Sequence, residues 1–147
     1  MAEKFISIED AESNLLDCAA FLAERIKSAD GHADSIKAIL PYYVENNSVD
    51  LAAGLADSVA DPFVRDRLLT IVAEKCAAIG DDEYAFQLAE AIEDFGMQEA
   101  AFERIALQKA AKGDFEKALE IAGNLQHPSN ALADIAIQQS AKGDEEN

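Results

Sequence analysis

The Gly-Asp dipeptide recurs at Gly80-Asp81, Gly113-Asp114 and Gly143-Asp144, at spacings of 33 and 30 residues. A recurrence on this scale restricts a chain to folds that stack one supersecondary unit on the next. Thirty-three residues before Gly80 stand Asn47-Ser48, which supply the same two functions with other side chains. Gly or Asn suits the left-handed conformation that ends a helix, and Asp or Ser offers an oxygen to the free N–H groups of the helix that follows. Each pair therefore predicts a tight turn between two antiparallel helices.

Apolar residues keep one register on both sides of these turns. Before them, Ile36, Leu69, Phe102 and Leu132 correspond, as do Ile39, Val72, Ile105 and Ile135. After them, Ala52, Ala85 and Ala118 correspond, followed by Leu55, Leu88 and Ile121 and by Ala56, Ala89 and Ala122. Offsets of three and four place each set on one helical face. The pattern predicts eight helices, near residues 8–27, 34–46, 49–60, 63–79, 82–95, 98–112, 115–126 and 129–142. No strand is needed. Asp61-Pro62 and His127-Pro128 fall at the links between units, where proline can open a helix. Pro41 lies inside a predicted helix, so a kink or a fresh start is expected near Leu40. The 29 alanines fit helices that approach closely.

A chain of 147 residues that is 50% hydrophobic can form one domain with a core of its own, taken here as residues 1–147. Its 12 basic and 29 acidic side chains leave a net charge of −17, which opposes binding to nucleic acid or anionic lipid. No apolar run reaches the ~20 residues needed to span a bilayer. Met1 to Asp10 has no apolar segment of the kind that directs secretion, so the cytoplasm is the expected compartment. Cys18 and Cys76 lie in separate predicted helices without the spacing of a metal or redox site, and buried packing is the expectation for both.

A helix, a Gly-Asp turn and a helix with an early alanine, then proline, within about 33 residues, resembles the tetratricopeptide repeat. The closest unit is Phe102 to Pro128, with Gly113-Asp114-Phe115 and Ala118 at the turn and the small second-helix position. The chain departs from that family where Ala56, Ala89 and Ala122 replace a bulky aromatic and where proline arrives about two residues early. A superhelix of another family fits the same pattern. The resemblance implies a right-handed alpha-alpha superhelix whose first helices line a concave, partner-binding face. It puts Lys37, Thr70, Glu103 and Ala133 in one row of that face, and Pro41, Glu74, Leu107 and Ile137 in another. Lys37, Arg67, Thr70, Glu74, Glu103, Leu107 and Ile137 are the partner-binding candidates. The lysine and asparagine set with which some members of the family hold a terminal carboxylate is absent, only Lys37 matching.

Catalysis by paired carboxylates needs two of them in a cleft with separated pKa values. Asp81-Asp82-Glu83 instead stands where acidic groups complement a helix N-terminus. His32 and His127 fall in predicted loops with no acid or nucleophile at a telling spacing, so surface roles are expected. No phosphate-binding glycine loop, nucleophile elbow, zinc or calcium motif occurs, and neither enzyme activity nor a cofactor is expected. The pattern predicts a module that binds a protein or peptide, with a basic partner favoured by the acidic surroundings. A spacer, or a segment of a longer solenoid, is the structural alternative, and an acidic mimic of nucleic acid a third. The exposed apolar faces of the first and last helices predict a homodimer.

Overall fold

The turn positions read from the sequence govern how this chain folds. The structure, a computed structural model, describes residues 6–145. These are all-helical, with 79% in helix and no strand. The helices are α1 (Ile8–Ser13), α2 (Leu15–Ala23), α3 (Ala29–Glu45), α4 (Val49–Asp57), α5 (Pro62–Ile79), α6 (Asp82–Glu90), α7 (Phe95–Ala111), α8 (Phe115–Gly123) and α9 (Ser129–Glu145). They group into two compact units, Met1–Val72 and Ala73–Asn147, with the boundary inside α5.

In the first unit the single helix expected over 8–27 is divided. Asn14 is extended at φ −156° and ψ 160° and caps α2, its side chain accepting from the Asp17 N–H at 2.8 Å. A short polar side chain that bonds its own backbone competes with the helix, and here it wins. Helix α3 begins five residues before the expected residue 34, because Ser28 caps it by accepting from the Gly31 N–H at 3.0 Å. It then runs through Pro41 to Glu45 without restarting near Leu40. The carbonyl that loses a donor to proline belongs to Lys37, on the exposed side of the helix, where water can replace that donor.

Ala33, Ile36, Leu40 and Tyr43 form the buried face of α3, which packs against α2 and against the Ala52, Ala53, Leu55 and Ala56 face of α4. His32 corrects an expectation. It lies inside α3, half-buried, with Nδ1 2.8 Å from the Ala23 carbonyl and Nε2 3.0 Å from Ser58 Oγ, and so ties the ends of α2 and α4 together. Tyr43 donates from its hydroxyl to Asp17 Oδ1 at 2.5 Å. Burial, reinforced by this bond and the Asp17 charge, pushes its pKa well above the usual tyrosine range.

In the second unit α7 packs against α6, α8 and α9, and α8 against α9. Two turns there and one in the first unit close alike. Asn47, Gly80 and Gly113 have φ of 61°, 91° and 87°. Their N–H groups donate to the carbonyls of Val44, Ala77 and Ala110, and those of Ser48, Asp81 and Asp114 donate to Tyr43, Cys76 and Lys109. This paired bonding satisfies the last carbonyls of one helix. Asp81 and Asp114 then cap the next, accepting from the N–H groups of Tyr84 and Lys117 at 3.3 and 3.2 Å. Ser48 makes no such side-chain bond.

Gly143 is not a turn of this kind: α9 continues through it to Glu145. Helix α9 starts 34 residues after α7, at Ser129 against Phe95, and both are 17 residues long. Offsets of 30 and 34 differ by about one helical turn and preserve the same apolar face. The apolar register alone therefore placed the last unit one turn early. A glycine inside a helix costs only about 1 kcal/mol.

Three lysines of this unit bind within the fold. Lys109, 6% exposed, pairs with Asp82. Lys112 donates to the Ala77 carbonyl at 2.9 Å, and Lys142 to that of Ala111 at 3.0 Å. Cys76 is buried as expected, while Cys18 is only half-buried. His127 is exposed and lies 3.4 Å from Glu99 Oε2.

Two outcomes test this account. Gly80→Ala introduces no steric contact within 4 Å but keeps a left-handed φ, so it should cost roughly 1–2 kcal/mol. Gly96, near the start of α7 with only an ordinary contact for an added Cβ at 3.4 Å, should gain about 0.4–1 kcal/mol as alanine. Similar changes at the two sites in thermal denaturation, or a gain at Gly80, would refute the turn geometry. The Tyr43 pKa, raised above its unfolded value near ~10, stabilises the fold below that pH and loses the contribution as pH rises beyond it. Denaturant titrations from about pH 10 upward should show a loss in the native chain, at most ~1.4 kcal/mol per pH unit from this group, that Tyr43→Phe lacks.

Candidate functional site

Helix α5 opens with Asp61, whose Oδ1 accepts from the Val64 N–H at 3.0 Å, and with Pro62 as its first residue. This start fixes the rotation of the helix. Leu68, Leu69 and Val72 turn inward, at 5%, 4% and 0% exposure, while Phe63 and Arg67 turn out. Asp66 is fully buried yet pairs with Arg65 at 3.0 Å, and its carbonyl accepts from Thr70 Oγ1 at 2.9 Å.

Phe63, Val64, Arg67, Leu68 and Ile71 line one wall of a cavity of about 410 Å3, and Lys37 of α3 adds a sixth lining side chain. Phe63 is 61% exposed. Lys37 holds Asp34 one turn back at 3.1 Å, an exposed pair that constrains neither group strongly. The result is an apolar floor with an ammonium and a guanidinium at its edge. A second cavity, of about 400 Å3 in the other unit, lies among Phe86, Phe102, Ile121 and Leu125, where the rings of Phe86 and Phe102 are tilted and 6.0 Å apart. Its charged lining residues, Lys117 and Glu120, neutralise each other at 2.9 Å.

Of the seven candidates from the sequence, Lys37 and Arg67 share the first cavity. Thr70 does not belong with them. It is 6% exposed and bonds its own helix, a placement that follows from the inward rotation of α5. Glu74 is half-buried and bound within the chain, accepting from Arg104 Nη1 at 2.9 Å and from Gln108 Nε2 at 3.4 Å. Glu103 and Leu107 are half-buried on α7, and Ile137 on α9 is 66% exposed. Phe63, Val64 and Ile71 were missed. Their spacing around Arg67 is one helical stripe, a signal present in the sequence, but the repeat register assigns these positions no place in the groove rows.

Among the described residues no group of three or more histidine, cysteine or carboxylate side chains is placed to hold a metal ion, and no helix is long and apolar enough to cross a membrane. No family model, curated protein or solved structure matches the chain. The likeness to tetratricopeptide repeats rests on the residues of its turns and on their spacing.

Replacing Lys37 or Arg67 by alanine should leave the melting temperature nearly unchanged, within about 0.5 kcal/mol. Asp82→Ala should cost roughly 1–3 kcal/mol by stranding the buried Lys109 ammonium. Calorimetry on the three variants distinguishes a free cationic surface from a structural ion pair, and comparable losses in all three would overturn that distinction.

Proposed function

We propose that this chain is a non-catalytic helical-repeat module, a right-handed superhelix of tetratricopeptide type, that holds a protein or peptide on the face of its longer helices. The observation that carries this reading is the division of labour between the helices. The nine-residue helices α4, α6 and α8 bury alanines at Ala52, Ala56, Ala85, Ala89, Ala118 and Ala122, and so serve as packing elements. The longer helices bury one face and carry Lys37, Phe63, Arg67 and Ile137 outward. Large exposed apolar side chains among charged ones mark interaction surfaces more often than catalytic ones. The −17 charge steers a partner with a basic surface and rejects polyanions.

Hydrogen exchange on the chain with and without a captured partner tests the reading. Protection should fall on α3, α5, α7 and α9, and binding should weaken with salt. Protection confined to α4, α6 and α8 would sink it.

Self-association belongs to the same proposal. Leu15, Leu22 and Ile26 lie along one side of α2 and just beyond it, at 89%, 59% and 39% exposure, and Ile137 lies bare on α9. A second copy covering such residues forms a closed dimer. Charge repulsion opposes it, so light scattering after size exclusion should show more dimer at high ionic strength than at low. A monomeric mass at both, at tens of micromolar protein, would remove the dimer from the proposal.

A further inference from the structure

The cavity on α5 permits a more specific statement, which rests on the binding-module reading. Three of the four arginines in the sequence are committed within the fold: Arg25 to the Phe21 carbonyl and ring, Arg65 to Asp66, and Arg104 to Glu74. Arg67 makes no hydrogen bond or ion pair among the described residues. It stands on the exposed side of α5 one turn from Phe63, and both line the cavity that Lys37 closes. The chain has more than twice as many acidic as basic side chains, yet no described carboxylate neutralises this guanidinium. An exposed phenylalanine beside an unpaired arginine is the composition of an interface anchor, since both residue types are enriched where proteins bind proteins. The cavity volume, about 410 Å3, lies within the roughly 300–1,000 Å3 of ligand-sized pockets.

We infer that this cavity receives a segment of a partner protein in which a large apolar side chain stands next to a carboxylate. The apolar group fills the floor of Phe63, Val64, Leu68 and Ile71, and the carboxylate meets Arg67, with Lys37 released from its exposed pair with Asp34. A guanidinium accepts a carboxylate through two parallel bonds, which fixes the orientation of the segment. The −17 field of the whole molecule repels acidic chains, so the segment sits within otherwise neutral or basic sequence.

This opposition between local and global charge gives the test its sign. The probe is an acetylated, amidated peptide Lys-Gly-Glu-Phe-Leu-Glu-Gly-Lys-Lys, compared with the same peptide carrying Gln in place of both Glu. The Gln peptide is the more positive, so the global field alone favours it. Titration of the full chain by fluorescence anisotropy or NMR should instead show the Glu peptide binding roughly tenfold more tightly. That preference should vanish in Arg67→Glu and in Arg67→Gln, and Phe63→Ser should weaken both peptides while melting stays unchanged. Tighter binding of the Gln peptide, equal binding by the Arg67 variants, or no binding of either at millimolar concentration overturns the assignment. Decanoate binding through Arg67 without peptide binding overturns it too, by making the pocket one for small carboxylates. A protein partner whose affinity ignores Arg67→Glu would also remove this site while leaving the module reading intact.

Discussion

The left-handed residue at the end of α3, α5 and α7 is the constraint on which each unit depends. At Asn47, Gly80 and Gly113 one positive φ reverses the chain and satisfies the last carbonyls of the helix behind it. It also delivers Ser48, Asp81 or Asp114 directly to the cap position of the helix ahead. No linker separates the two helices, so their rotation about each other is set by backbone geometry and not by loop entropy. The alanine faces of α4, α6 and α8 can then approach their partners closely. A bulkier side chain there would push the pair apart and leave the turn bonds unmade.

This coupling explains why so much of the architecture was legible. Turn residues and small-residue faces report the same event, and the two spacings between Asn47, Gly80 and Gly113 agree. Legibility failed where a single cue stood alone. Asn14 stops one helix and starts another, and nothing in the apolar pattern separates it from a residue inside a helix. Gly143 has the composition of a turn, but Gly and Asp at that point are compatible with helix, and α9 continues through them to Glu145. Gly31 and Gly96 fall between the helices expected from the pattern and lie in the opening turns of α3 and α7, where caps at Ser28 and Asp94 overrule the propensity.

The candidate site was legible only in part, for a physical reason of its own. A repeat register assigns a residue to a face within about a third of a turn, which is enough to separate core from surface but not one surface row from the next. Lys37 and Arg67 are exposed and line one cavity. Thr70, three residues further along α5, crossed into the interior because its hydroxyl could bond the Asp66 carbonyl and so enter without an unsatisfied group. Glu74 stayed half-exposed but is held by Arg104, a partner 30 positions away that local pattern cannot show.

Charge organisation connects these observations to function. In an acidic chain each cation has carboxylates to hand, and most of those described here are bound: Lys109 by Asp82, Lys112 and Lys142 by helix-terminal carbonyls, and Arg104 by Glu74. Binding at carbonyls is informative, because an ammonium placed on the negative end of a helix stabilises the turn beside it. Lys142 lies against Gly113, where an added Cβ would come within 3.1 Å of its Nζ, so the same glycine that permits the reversal also leaves room for the cation that completes it. Most of the basic side chains among the described residues are therefore bound within the fold. Against that background the guanidinium of Arg67, which pairs with no described residue and stands next to the exposed ring of Phe63, points outward, to a ligand whose carboxylate supplies what the fold withholds.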